Sequence, residues 1–281
     1  VLAAIACGHE APFGAPVIDA NPGADLPPPR RLTWNAESEW FPAWLPDGSA
    51  IGYSYFVPER DDRDRCLGLL RPEIGRLSRL ICVRTGTEGD SVNTVLAHAV
   101  SAGGRLAIMG ESGNPRHLAP AWRWVAIGDL ANGVVHRAIR FPYTDSVTQL
   151  VHMAAHHLTW LGDTVLAYLA MAYRYKPGTV AVPSDTMYTG IEIVVARVEG
   201  DAVVSRRTLP GTFNASSVTA ADGRLYLTFC GSSTVYAWDP AAQAPVPVYD
   251  FGPGAIARDV QVAAGRLVAV VGGSVVCEFD P

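Results

Sequence analysis

Short apolar stretches alternate with breaks rich in glycine, proline and aspartate along most of the chain. Within the stretches, Val, Ile, Leu, Tyr and Trp recur at every second position, as in Arg224-Leu225-Tyr226-Leu227-Thr228-Phe229. A period of two is that of a strand, and helical spacing is almost absent. The pattern predicts many short strands joined by tight turns, and hence an all-β fold.

The strands also repeat as groups. Gly223-Arg224-Leu225 recurs as Gly265-Arg266-Leu267, 42 positions later, and both units close on Asp-Pro. Looser copies of the turn and the following strand begin at Pro46-Asp47-Gly48, Gly103-Gly104-Arg105 and Leu161-Gly162-Asp163. A period of roughly 40–45 residues is that of a four-stranded propeller blade. Counting units predicts a β-propeller of five blades, at about 40–86, 92–143, 147–210, 213–250, and 256–281 completed by 31–35. Six is the alternative, because the insertion at Arg174–Met187, read as a loop, could hold further structure. The final unit supplies three strands, so Arg31–Trp34 is expected to add the fourth and close the ring. Closure of this kind removes exposed sheet edges.

Arg31-Leu32-Thr33, followed by Pro42-Ala43-Trp44-Leu45-Pro46-Asp47-Gly48-Ser49 and Ile51-Gly52-Tyr53, resembles the TolB-type propeller repeat, with Leu45 where serine is usual. Pro42, Trp44, Pro46, Asp47 and Gly48 carry the likeness. Trp44 is expected to fill the space between blades, and Asp47-Gly48 to make the hairpin turn. These are packing and turn residues, and they imply a blade without implying an activity.

Composition narrows the function classes. Of 281 residues, 49% are hydrophobic and 17% charged, the makeup of a globular chain with ample core. Net charge is −5 with both signs dispersed, and Lys176 is the only lysine. With no basic stripe, nucleic acid is not an expected partner. No apolar run reaches the roughly 18–20 residues of a membrane span. Val1 to Cys7 reads V-L-A-A-I-A-C and is followed by Gly8, like the end of a bacterial lipoprotein signal. Cys7 is therefore the expected lipidation site and residues 1–8 the remnant of signal and anchor. Residues 9–30, rich in proline and ending in Pro27-Pro28-Pro29, read as a strap, and 31–281 as the propeller. The expected location is the periplasmic face of a bacterial membrane.

There are five cysteines. Cys66 and Cys82 flank two strands around a turn and are expected to form a cross-hairpin disulfide; Cys230 and Cys277 lie in neighbouring units and could form a second. Weak metal candidates are His152 and His156, and the acidic loop Asp61, Asp62 and Asp64. Four residues along a strand span about 13 Å, too far for one metal unless a bulge intervenes. The histidines, His157 included, are thus expected to be channel-lining or surface polar groups. The aspartates alternate with Arg60, Arg63 and Arg65, a pattern of surface ion pairs. Neither a nucleophile elbow nor a phosphate-binding glycine loop is present, so no catalytic residue and no cofactor is predicted.

Two function classes remain. One is a non-catalytic, membrane-extrinsic binding or scaffold propeller docked on an integral membrane complex. The other is a periplasmic propeller enzyme or glycan-binding protein using the central channel. In the first class, the Arg-rich, lysine-poor propeller with a leading strap is similar to the extrinsic subunits of some bacterial photosynthetic reaction centre–antenna complexes. Acidic or histidine residues converging at one mouth of the channel would favour the second class, and a flat apolar surface facing outward the first.

Overall fold

The structure, a computed structural model, describes residues 4–7, 40–56, 65–73, 75–83, 92–113, 122–145, 149–175, 186–240, 242–263 and 266–273. Among these, every element is a strand. The strands form five antiparallel sheets, one per blade. The first holds β2 (Trp40–Trp44), β3 (Ile51–Phe56), β4 (Arg65–Arg71) and β5 (Arg76–Ile81). The second holds β6 (Val92–Val100), β7 (Arg105–Gly113), β8 (Trp122–Asp129) and β9 (Val134–Arg140). The third has five strands, β10 (Tyr143–Thr144), β11 (Val151–Leu161), β12 (Val165–Tyr175), β13 (Thr186–Glu199) and β14 (Ala202–Thr208). The fourth holds β15 (Ala215–Ala221), β16 (Arg224–Phe229), β17 (Thr234–Trp238) and β18 (Val246–Asp250). In the fifth, β19 (Ala255–Ala263) pairs with β20 (Arg266–Gly273), and β20 with β1 (Ala4–Cys7).

The middle strands are buried on both faces, and so read as nearly continuous apolar runs. Leu106 and Ile108 of β7 pack toward the first blade with Leu67, Leu69 and Trp124. Their neighbours Ala107 and Met109 pack toward the third, with Trp160, Leu166 and Tyr168. The same alternation on β12 sends Leu166 and Tyr168 to one seam, and Ala167 and Leu169 to the next. Four apolar seams follow in order around the ring, the last built from Tyr226, Val235, Ala257 and Val260.

Each seam is also stitched by a polar contact between innermost strands. His98 hydrogen-bonds the Ala43 backbone. Trp160 Nε1 donates to the Ala99 carbonyl at 3.3 Å. Thr159 Oγ1 accepts from the Ala220 amide at 3.0 Å, and Ser217 Oγ from the Val260 amide at 3.1 Å. Buried backbone groups that a strand edge leaves unpaired are satisfied in this way.

The five sheets follow the order of the repeat units, except that Tyr143–Thr144 pairs with the third sheet rather than closing the second. The strand that joins the last sheet from the N-terminal side is Ala4–Cys7, in register with Leu267–Val270. Arg31–Trp34, residues 9–30, Asp61, Asp62, Asp64 and Cys277 lie outside the described residues. The insertion in the third blade is narrower than expected: Arg174–Tyr175 and Thr186–Met187 are paired strand, which leaves 176–185 outside the described residues.

Trp44 departs from its expected place. It is 54% exposed, while Leu45 and Ala50 are buried in the seam with the second blade. Alternation explains this: once Leu45 faces the seam, Trp44 must face the other way, into the central channel. Asp47-Gly48 does make the turn, with Asp47 Oδ1 accepting from the Ser49 amide at 3.0 Å and Gly48 at φ 70°.

Cys66 and Cys82 are bonded, with Cα atoms 4.5 Å apart at the open end of the β4–β5 hairpin. Cys230 is disulfide-bonded as well.

Candidate functional site at the central channel

The five innermost strands, β2, β6, β11, β15 and β19, line one cavity of about 1260 Å³ along the propeller axis. Each carries a register shift: between Trp40 and Ala43, Val95 and Ala97, His156 and Leu158, Ala215 and Ser217, and Ala257 and Asp259. In β2, β15 and β19 the shift lies in the N-terminal half of the strand, and in β6 and β11 near its middle. A bulge adds a residue and sharpens the local twist, which lets five strands crowd around an axis. It also re-aims side chains, and here it assembles a polar mouth.

On β11 the inserted residue is His157, which adopts φ 51°, unusual for a residue with a Cβ. The irregularity places consecutive histidines on the same cavity wall. The rings of His156 and His157 meet edge to face with centroids 5.4 Å apart. Burial lowers the pKa of His156 to about 4, with neighbouring His157 and Arg123 adding to the effect. Burial also lowers that of His157, against the attraction of Asp259 on β19. Both imidazoles are therefore neutral at pH 7.

Asp259 accepts a hydrogen bond from Gln261 Nε2 at 3.0 Å. Arg123, which also lines the cavity, pairs with Glu111 at 3.4 Å. At the opposite end the hairpins bring Asp47, Trp44 and Asp222 to the lining. Four residues of strand separate Asp259 from its hairpin, about 13 Å. The carboxylates of Asp47 and Asp222 thus lie at the other end of the channel from Asp259.

His98 lies in the wall between the first two blades. Its ring fills the space a Cβ on Gly52 would need, with Nε2 only 2.2 Å from that position. Nε2 is buried without a hydrogen-bond partner, and burial lowers the ring's pKa to about 4.

His152 does not join His156. A further register shift between His152 and Ala154 breaks the face they would share on a regular strand. His152 turns into the protein, fully buried, with Nε2 3.4 Å from Glu192 and its ring 4.9 Å from that of Tyr143. Tyr143 and Tyr168 share a 2.8 Å hydrogen bond beside it, and burial pushes Tyr143 up to about 12. Among the described residues, no three His, Cys, Asp or Glu side chains form a ready metal site. Sequence reasoning placed the histidines at the channel or surface, which holds for His156 and His157 but not for the buried His152, and it missed Asp259, Gln261 and Arg123. A lone Asp, Gln or Arg on a strand carries no signal until the pairing is known.

Compared with known proteins, the chain matches no family model and no curated sequence. Its structure is similar to solved propellers. The tricorn protease aligns with a TM-score of 0.50 at 8% identity, over 84% of this chain and 24% of that one. A gluconolactonase from Xanthomonas campestris aligns at 0.47 and 12% identity, over 83% and 72%. TolB from Acinetobacter baumannii aligns at 0.46 and 15% identity, over 86% and 56%. The chain thus spans about half of that TolB and a quarter of the tricorn protease. At such identities the likeness is one of fold, and the fold is a β-propeller.

Proposed function

We propose that this chain is an exported propeller that works by binding, with the central channel as its recognition site. One observation carries the reading: all five innermost strands, each bulged, converge on a single cavity whose lining includes His156, His157, Asp259 and Arg123. Export is supported by the Cys66–Cys82 disulfide and by the bonded state of Cys230, since such bonds persist in oxidising compartments.

The partner in this reading is an integral membrane complex, with a photosynthetic reaction centre–antenna complex as its narrower form. Lipid at Cys7 would hold the propeller at the membrane, and the strap would add contacts along its length. Weak sites so linked reinforce one another through effective concentration. Lipidation has a structural consequence. Signal cleavage before Cys7 removes Ala4–Ala6, so β20 loses that neighbour in the mature protein.

The test is extraction from native membranes in mild detergent, with co-purifying proteins identified. Wild type is expected to bring down an integral membrane complex. Cys7→Ala and a Gly/Ser strap of equal length should each weaken retention, and together abolish it while the propeller stays folded. Full retention by the doubly altered chain contradicts the anchored reading.

A second reading rests on Trp44, an exposed indole on the channel wall near Asp47 and Asp222. Aromatic faces beside polar groups suit a sugar ring. Binding to a glycan array that is lost in Trp44→Ala, with no protein partner recovered, would favour this over the membrane complex.

A further inference from the structure

We propose that His156 and His157 form a two-imidazole site for a divalent transition-metal ion on the wall of the central channel. The geometry comes first. Two imidazoles on one tetrahedral ion, with metal–nitrogen bonds of about 2.0 Å, have ring centres about 5 Å apart. The centroids of His156 and His157 are 5.4 Å apart. Consecutive residues of a regular strand point to opposite faces and could not meet in this way. Here the irregularity at His157, with φ 51°, brings both rings to one cavity wall. Backbone in a sparsely populated region persists only where its surroundings over-determine it, and such positions cluster at functional sites.

The chemistry agrees. Imidazole nitrogen is a ligand that divalent transition metals favour, and both rings line the cavity. Asp259 on the facing strand is close enough to His157 to act on it electrostatically, and its carboxylate favours a cation there. Arg123 opposes one, but its charge is partly met by Glu111 at 3.4 Å. With two protein nitrogens, the remaining positions open to the channel, where water or an oxygen of an entering ligand completes the shell. Nitrogen ligands of this type select Zn²⁺, Cu²⁺ or Ni²⁺ over Ca²⁺ or Mg²⁺. No cofactor is expected from the sequence, where the pair weighed by strand spacing is His152 with His156.

The test uses the full chain with its disulfides intact. Zn²⁺ binding is measured by titration calorimetry and Co²⁺ binding by visible absorption, for wild type, His156→Gln, His157→Asn and the double variant. Asn tolerates positive φ, so His157→Asn removes the imidazole without forcing the backbone to change. His136→Ala, at an exposed position of β9, is the control. Wild type is expected to bind one Zn²⁺, and His136→Ala to match it. Each single variant should bind at least tenfold more weakly with an unchanged melting temperature, and the double variant should not bind. Three results would overturn the site: no Zn²⁺ bound by wild type, unchanged affinity in the double variant, or a thiolate-to-cobalt band that puts the metal on cysteine. The inference stands apart from the partner proposed above: a chain that binds no metal yet retains its membrane complex overturns this site alone.

Discussion

A single imidazole shows how tightly the inner wall is specified. His98 is buried against Gly52, its Nε2 unpaired and its pKa lowered to about 4 by burial. In the unfolded chain it titrates near 6.5, so between about pH 6.5 and 4 the unfolded state binds the extra proton. The stabilisation is complete above pH 6.5 and is lost as pH falls toward 4. One such group costs about 2 kcal/mol between pH 7.5 and 5. Urea unfolding at the two pH values should show a fall of at least this size, because His156 contributes in the same direction. In His98→Gln the fall should shrink by His98's share, and an unchanged fall would mean that the ring is not buried as described. Gly52→Ala should destabilise by more than 2 kcal/mol through its clash with that ring. The cost should drop sharply in the Gly52→Ala, His98→Ala double variant, a coupling that double-mutant analysis reads directly.

The element-scale story is one of strands buried on both faces and stitched at each seam. Thr228 is the centre of the last stitch, fully buried, 2.7 Å from Ser217 Oγ and 2.8 Å from Ser216 Oγ. Ser217 in turn accepts from Val260 across the seam. Thr228→Val keeps the shape and removes the hydroxyl. It should cost about 1–3 kcal/mol, the penalty of leaving buried polar groups unsatisfied. Thr219→Val, at an intermediate position of the neighbouring β15, should cost much less. The disulfide acts on the hairpin edge. Cys66→Ser with Cys82→Ser opens a loop of sequence separation 16 and should lower stability by about 3 kcal/mol in chemical denaturation.

At this scale the sequence was most readable where a residue's neighbours along the chain decide its place. Strand positions were legible because two apolar faces give continuous runs, and turns because Asp47-Gly48 and Asp222-Gly223 demand them. Bulges were not, because a bulge is defined by the facing strand. His157, Ser216 and Arg258 look like ordinary strand residues until the register is known. Trp44 was misassigned for a related reason: a large apolar residue fits a seam or a channel wall equally well, and only the burial of Leu45 decides between them. The channel mouth drew His156, Asp259 and Arg123 from three blades, and nothing local in the chain links them.

For the whole molecule, the ring is what turns five similar sheets into one site, since the cavity exists only where all inner strands meet. Its two ends differ, with imidazoles, Asp259 and Arg123 toward one and Trp44 with Asp47 and Asp222 at the hairpin end. A partner recognised there must present a narrow element to the axis. The outer strands instead carry separate exposed apolar side chains, such as Leu77, Val134 and Val204. Scattered singly, these are ordinary surface residues. Mass spectrometry of the mature N-terminus is informative at the same scale. A chain beginning at a lipid-modified Cys7 is expected, and one that retains Ala4–Ala6 would keep β1 in the last blade and remove the anchor.

The most direct measurement places a photo-reactive amino acid at Gln261, on the channel wall, or at Val204, on the outer strand of the third blade, and irradiates native membranes. Cross-links from position 261 to an integral membrane protein, with none from 204, are expected if the channel is the recognition site. Cross-links from 204 alone would contradict it.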